Sequence, residues 1–126
     1  MEINIAFTQT PIDFSPSPLP SHEIGAVVEF QGIVRGTEGP AAITALDYEA
    51  YEPMARRRLI EHIRELGLSY HCAAVVFVHR LGRVPVGEAS LLVRVFSKHR
   101  GTALALCGEL IDRMKADVPI WKCNAA

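Results

Sequence analysis

The sequence predicts an α+β domain: a mainly antiparallel sheet with two principal helices packed on one side. Three observations carry this. Apolar periodicity changes along the chain in the order β, β, β, α, β, β, α. Two β-rich runs, Ala73 to Leu81 and Ala89 to Ser97, flank Gly82-Arg83-Val84-Pro85-Val86-Gly87, which predicts an antiparallel hairpin with a longer loop. Strictly alternating βαβ units are absent, which excludes a doubly wound nucleotide fold.

Each element has its own signal. Ile3 to Phe7 alternates apolar and polar residues and predicts a short strand. Pro11 to Pro20 holds four prolines and two serines and predicts a loop wrapping the domain. Gly25 to Arg35 predicts a long strand, with Ala26, Val28, Phe30 and Val34 on the packing face and Glu29, Gln31 and Arg35 opposite. Gly32 within it predicts a bulge or a close backbone approach. Gly36 to Pro40 reads as a flexible loop and Ile43 to Tyr51 as a further strand. Pro53 suits a first helical position, Leu59, Ile60, Ile63 and Leu66 recur at helical spacing, and Gly67 reads as the stop. The last helix is predicted from about His99 to Lys115, with Ser97 as its cap and Ala103, Cys107, Leu110, Ile111 and Met114 as its apolar stripe. Pro119 ends it, and Ile120-Trp121-Lys122 follows as an extended tail, with Trp121 expected as a core or interface anchor.

Composition bounds the function. The chain has 126 residues, 49% hydrophobic and 21% charged, which fits one ordinary globular domain. The domain is expected to span 1–126, with strand and proline-rich loop in 1–24 and an active-site tail in 116–126. A formal net charge of -1 argues against a general nucleic-acid binder, so anion binding has to come from a local basic cluster. Met1 to Gln9 lacks a basic start followed by an apolar run, and no stretch is apolar enough to span a bilayer, so neither a signal peptide nor membrane insertion is expected. Cys72, Cys107 and Cys123 are odd in number and widely spaced. They predict no disulfide scaffold and no zinc site, and a reduced, cytoplasmic protein. The five histidines show no metal-ligand spacing; His62, His71 and His79 read as structural or surface residues, and no metal is expected.

Lys98-His99-Arg100 is the most informative local run. It falls at the N-terminal end of the last helix, where cations are mildly disfavoured unless an anion binds there to free backbone amides. The alternative is a solvated basic turn. Lys115 and Lys122 flank Pro119, so a bend there lets both ammonium groups reach one pocket. A lysine desolvated among other cations loses its proton more readily and serves as proton shuttle or nucleophile. The plain alternative is a helix-end lysine that the dipole favours and a charged tail residue. Arg35, at the end of its strand, offers a fork suited to phosphate, although the loop after it lacks the P-loop pattern. Arg56-Arg57-Arg58 reads as a solvated helix face.

Four segments together resemble the large, catalytic subunit of molybdopterin synthase, the MoaE family. They are Gly25-Ala26-Val27-Val28-Glu29-Phe30-Gln31-Gly32-Ile33-Val34-Arg35; Leu46-Asp47-Tyr48-Glu49-Ala50-Tyr51; Val78-His79-Arg80-Leu81-Gly82 with Val86-Gly87-Glu88; and Ser97-Lys98-His99-Arg100 running to Pro119-Ile120-Trp121-Lys122. Their order and spacing cover nearly the whole chain from Gly25 onward. The resemblance implies an α/β hammerhead-type α+β fold, a dimer of large subunits, and a small ubiquitin-like subunit bound to each, giving a heterotetramer. It implies transfer of sulfur from the small subunit's thiocarboxylated Gly-Gly tail to cyclic pyranopterin monophosphate (precursor Z), forming the molybdopterin dithiolene without metal or organic cofactor. By the same resemblance, Arg35, His99 and Arg100 hold the substrate, and Lys115 and Lys122 are catalytic. Many members of that family continue past Trp-Lys with an acidic start and a longer tail, which in some supplies a basic residue to the neighbouring subunit's pocket. With Cys123-Asn124-Ala125-Ala126 here, the pocket is expected either to need no such residue or to be completed differently. The rival expectations are a non-catalytic domain sensing a small anion at the helix near His99, and a scaffolding subunit that keeps the fold alone.

Overall fold

A computed structural model describes residues 1–126. In chain order the elements are β1 (Glu2–Thr8), β2 (Ala26–Ile33), β3 (Thr37–Glu38), β4 (Ala41–Ala42), β5 (Ala45–Ala50), α1 (Glu52–Ser69), β6 (Ala74–Arg80), β7 (Gly82–Pro85), β8 (Ala89–Ser97), α2 (Arg100–Asp117) and β9 (Ile120–Ala125). They build a four-stranded sheet in the order β1-β6-β8-β2, a three-stranded sheet β7-β5-β9, and the small hairpin β3-β4. β1 runs parallel to β6, and every other pairing is antiparallel. This is the α+β arrangement that the sequence predicts.

Both helices lie on one face of the four-stranded sheet. Ala55, Leu59, Ile63 and Leu66 of α1 and Ala103, Leu106, Cys107, Leu110 and Met114 of α2 meet Val75 and Phe77 of β6 and Leu91, Val93 and Val95 of β8 in one core. Phe77, Leu59, Ile63, Leu106 and Leu110 are fully buried, each worth about 1.5–3 kcal/mol relative to exposure. The predicted stripes hold, except that Leu106 joins the core while Ile60 and Ile111 are only half-buried. The opposite sheet face is covered by the proline-rich segment. Ile12 packs on Ala89 and Leu92 there, and the buried Arg94 holds the segment through the carbonyls of Phe14 and Ser15 and the hydroxyl of Ser17, at 2.8–2.9 Å.

Several expectations need correction. Gly67 does not stop α1, which continues to Ser69; a Cβ at Gly67 would lie 2.6 Å from Met1 Cε, so the glycine admits the N-terminal methionine. Ser97 is not the cap of α2. His99 takes that place without a side-chain cap, and Ser97 Oγ instead bonds Thr102 Oγ1 at 2.7 Å and donates to the His71 carbonyl at 3.2 Å. The pair β6–β8 is antiparallel as predicted, but its connection contains β7, which leaves for the second sheet through pairing with β5. The tail is extended from Ile120 as predicted, and it forms β9, which pairs antiparallel with β5 from Leu46↔Ala125 to Ala50↔Ile120. Trp121 is 52% exposed and so is not a core anchor. β2 is an edge strand, and its Phe30 is 36% exposed, not packed under the helices. Arg56 is not simply solvated: it donates to the Ile5 carbonyl at 2.6 Å and lies over the Phe7 ring.

Candidate active site

The site forms where the two sheets meet the C-terminal end of α2. β2 ends in an irregularity at Gly32/Ile33, as the glycine predicts, and the chain leaves the sheet there to deliver Arg35. α2 carries Met114 and Lys115 in its last turn and ends at Val118, whose N–H bonds the Met114 carbonyl. Pro119 follows, and β9 turns back along β5, placing Lys122 opposite Tyr48. The register shift between Asp47 and Tyr48 leaves Cys123 as the extra residue of β9.

These elements enclose a cavity of about 580 Å³ whose lining includes Arg35, Lys115 and Lys122. Phe30, Leu46, Leu91, Met114 and Ile120 supply apolar wall, and Glu38, Tyr48 and His79 add polar groups. Size and lining suit a small organic ligand with a few fixed polar contacts. Three cations face a single carboxylate, so the cavity favours anions. It lies at the carbonyl end of α2, where the helix dipole opposes an anion, so side-chain cations must supply the attraction. Lys122 Nζ is 3.5 Å from both carboxylate oxygens of Glu38.

His79 is buried at 3% exposure and meets Tyr48 edge-on, with ring centroids 5.0 Å apart. Its Nδ1 lies 2.8 Å from the Arg80 carbonyl oxygen, so Nδ1 carries the proton and Nε2 is the acceptor nitrogen. Burial lowers its pKa, partly countered by that bond. No local pattern singles out His79, Tyr48, Glu38 or Phe30 as site residues. By sequence they read as a structural or surface histidine, a strand aromatic, a loop acid and a core residue, and only the meeting of the two sheets joins them.

His99 and Arg100 lie elsewhere. They start α2, and Lys115 lies in its last turn, fifteen positions after Arg100 and about 22 Å further along the axis. The structure therefore brings Arg35, Lys115 and Lys122 together and keeps His99 and Arg100 apart from them within one chain. At its own end, α2 offers the free amides of its first turn beside the exposed Lys98, His99 and Arg100. An anion is favoured there by the helix dipole.

No group of three or more His, Cys, Asp or Glu side chains is placed to hold a metal ion. No helix is long and apolar enough to cross a membrane. All three cysteines are unpaired.

Fold and cavity together define an α+β domain with a pocket lined by Arg35, Lys115 and Lys122. The chain belongs to the MoaE protein family, whose profile matches residues 7–117. It is 43% identical over 98 residues to the molybdopterin synthase catalytic subunit of Oryza sativa subsp. indica, covering 78% of this chain and 51% of that protein. It is 39% identical over 100 residues to the protein of the same name from Thermoplasma volcanium, covering 79% and 73%. The chain spans about half the length of the plant relatives it matches. Among solved structures, molybdopterin synthase from Staphylococcus aureus superposes with a TM-score of 0.85 at 32% identity, covering 92% of this chain and 86% of that one. A complex of subunits 1 and 2 of the molybdopterin-converting factor from Helicobacter pylori matches with a TM-score of 0.66 at 30% identity, over 79% of this chain and 65% of that one.

Proposed function

We propose that this chain is the catalytic subunit of a molybdopterin synthase. In this reading it transfers sulfur from the thiocarboxylated Gly-Gly tail of a small ubiquitin-like subunit to cyclic pyranopterin monophosphate. The observation that carries the reading is the convergence of Arg35, Lys115 and Lys122 on one cavity in a chain of this family. Substrate phosphate and tail carboxyl group are both anionic, as the cavity's charge requires. The Helicobacter pylori relative, solved as a complex of two subunits, supports a small-subunit partner here.

The chemistry follows from the groups present. Arg35 forks onto the phosphate and orients the pterin. The thiocarboxylate sulfur attacks the pterin side-chain carbon, forming a C–S bond as that carbon's C–O bond to the cyclic phosphate breaks and the phosphate stays attached through its other ester. Water then cleaves the acyl–sulfur bond, which frees the small subunit as its carboxylate and leaves the sulfur on the pterin. Lys115 acts as general acid and base in ring opening and in hydrolysis of the acyl intermediate, and Lys122 stabilises the oxyanion. No metal or organic cofactor is assigned a step. We place the protein in the cytoplasm, where its unpaired cysteines stay reduced.

His99 and Arg100 join this site only from a second copy, because α2 holds them a helix length from Lys115. The large subunit is therefore proposed to act as a dimer in which the amide end of one α2 faces the cavity of the other chain. Exposed Val27, Phe30 and Ile33 on edge strand β2, with Leu104 on α2, supply apolar surface for such a contact. A non-catalytic anion sensor would use the amide end of α2 alone and leaves the lysine cavity without a role.

Two experiments test the reading. Lys115→Ala is expected to cut product formation by about 10²–10⁴-fold with small-subunit binding retained; normal turnover would sink the assignment. Mixing Lys115→Ala with Arg100→Ala chains is expected to restore about a quarter of wild-type activity, since half the dimers are hybrids with one intact site of two. No restoration from the mixture would refute completion by a second copy.

A further inference from the structure

The cavity that favours anions already holds one. Glu38 is the only acid among its lining residues, and it spans Lys122 Nζ with both carboxylate oxygens at 3.5 Å. The element that carries Glu38 is the least anchored part of the cavity wall. The hairpin β3-β4 pairs only with itself, through Thr37↔Ala42 and Glu38↔Ala41, and belongs to neither larger sheet. Its turn holds Gly39 at φ 58, and its base is closed by the Ile43 N–H bonding the Gly36 carbonyl at 3.0 Å. Moving it breaks no ladder of the two sheets that hold Arg35, Lys115 and Lys122 in place.

We propose that Glu38 is a ligand-displaced counter-ion: its carboxylate aims Lys122 into the cavity and must give up that lysine when an anionic ligand enters, the hairpin moving with it. The inference rests on the reading of the cavity as an anion site. An incoming phosphate and the Glu38 carboxylate compete for the same ammonium group, and like charges held together repel. The displaced pair is solvent-accessible, with 51% of the Lys122 side chain and 39% of the Glu38 side chain exposed, so a ligand with two charges can break it. Ligand entry thereby becomes coupled to opening of the hairpin beside the cavity.

Inorganic phosphate, titrated into the full chain at low ionic strength and followed by amide NMR, is the probe. Glu38→Gln is expected to bind phosphate about two- to fivefold more tightly than the wild type, the gap closing in high salt. The Gly39 amide of the wild type is expected to move on phosphate binding toward its position in the phosphate-free variant. Equal or weaker binding by Glu38→Gln would overturn the proposal. So would a Gly39 resonance that stays fixed at saturating phosphate. Failure of both proteins to bind phosphate would overturn the anion-site reading as well, which separates the two failures.

Discussion

Replacing Arg94 with methionine should detach the proline-rich segment from the sheet it covers. Arg94 is 6% exposed and makes four hydrogen bonds: Nε to Glu29 Oε1 at 2.6 Å, Nη1 to the Ser15 carbonyl at 2.8 Å and to Ser17 Oγ at 2.9 Å, and Nη2 to the Phe14 carbonyl at 2.9 Å. Bonds from a charged donor contribute about 1.5–3 kcal/mol each, and breaking a buried pair costs about 3–5 kcal/mol. Phe14, Ser15 and Glu29 are exposed, so water re-satisfies them and the losses do not add. Methionine also keeps much of the stem's packing. The net cost is about 2–4 kcal/mol. For a chain of this length that lowers the thermal midpoint by about 8–15 °C. Circular dichroism melting measures it, and limited proteolysis should show new cleavage between Asp13 and Pro20. A midpoint within about 2 °C of wild type, with that segment still protected, would refute the claim that Arg94 is its clamp.

Other outcomes follow from single contacts. Burial lowers the His79 pKa below its ordinary value of 6.5, so the unfolded chain binds more protons than the folded one below that pH. Stability should therefore fall as pH drops from 6.5 toward the folded pKa, and His79→Gln should flatten that slope in denaturant melts; an unchanged slope would exclude His79 as its source. A Cβ at Gly25 would lie 2.4 Å from the Lys98 carbonyl oxygen, so Gly25→Ala should cost about 1–3 kcal/mol. Gly101→Ala meets open space at the start of α2 and should cost nothing measurable. Equal midpoints for the two alanine variants would contradict the steric account.

The elements that pack against the main core were legible because each carries its own period. Leu59, Ile63 and Leu66 announce α1, and the run from Ala89 to Ser97 announces β8. The second sheet was not legible. β7 is four residues long, holds Gly82 and Pro85, and looks like a turn until β5 is there to pair with it. Lys115 and Lys122 were legible as a pair because Pro119 forces the chain to bend between them. Their meeting with Arg35 depends on β9 lying along β5, a pairing between positions some seventy residues apart that no local pattern specifies. The same limit explains His99 and Arg100. Sequence grouped them with Arg35 by charge and resemblance, while the length of α2 separates them. Glu38 was invisible for the opposite reason, since an acid in a glycine-rich loop looks like ordinary surface.

The most direct test of the central claim is reconstitution from purified parts. The chain is mixed with a thiocarboxylated small subunit and cyclic pyranopterin monophosphate, and molybdopterin is measured as its fluorescent oxidation product. Product that forms only when all three are present, and fails with Lys115→Ala, is the predicted result. A stable complex of the two subunits that yields no product from the wild-type chain would contradict the account.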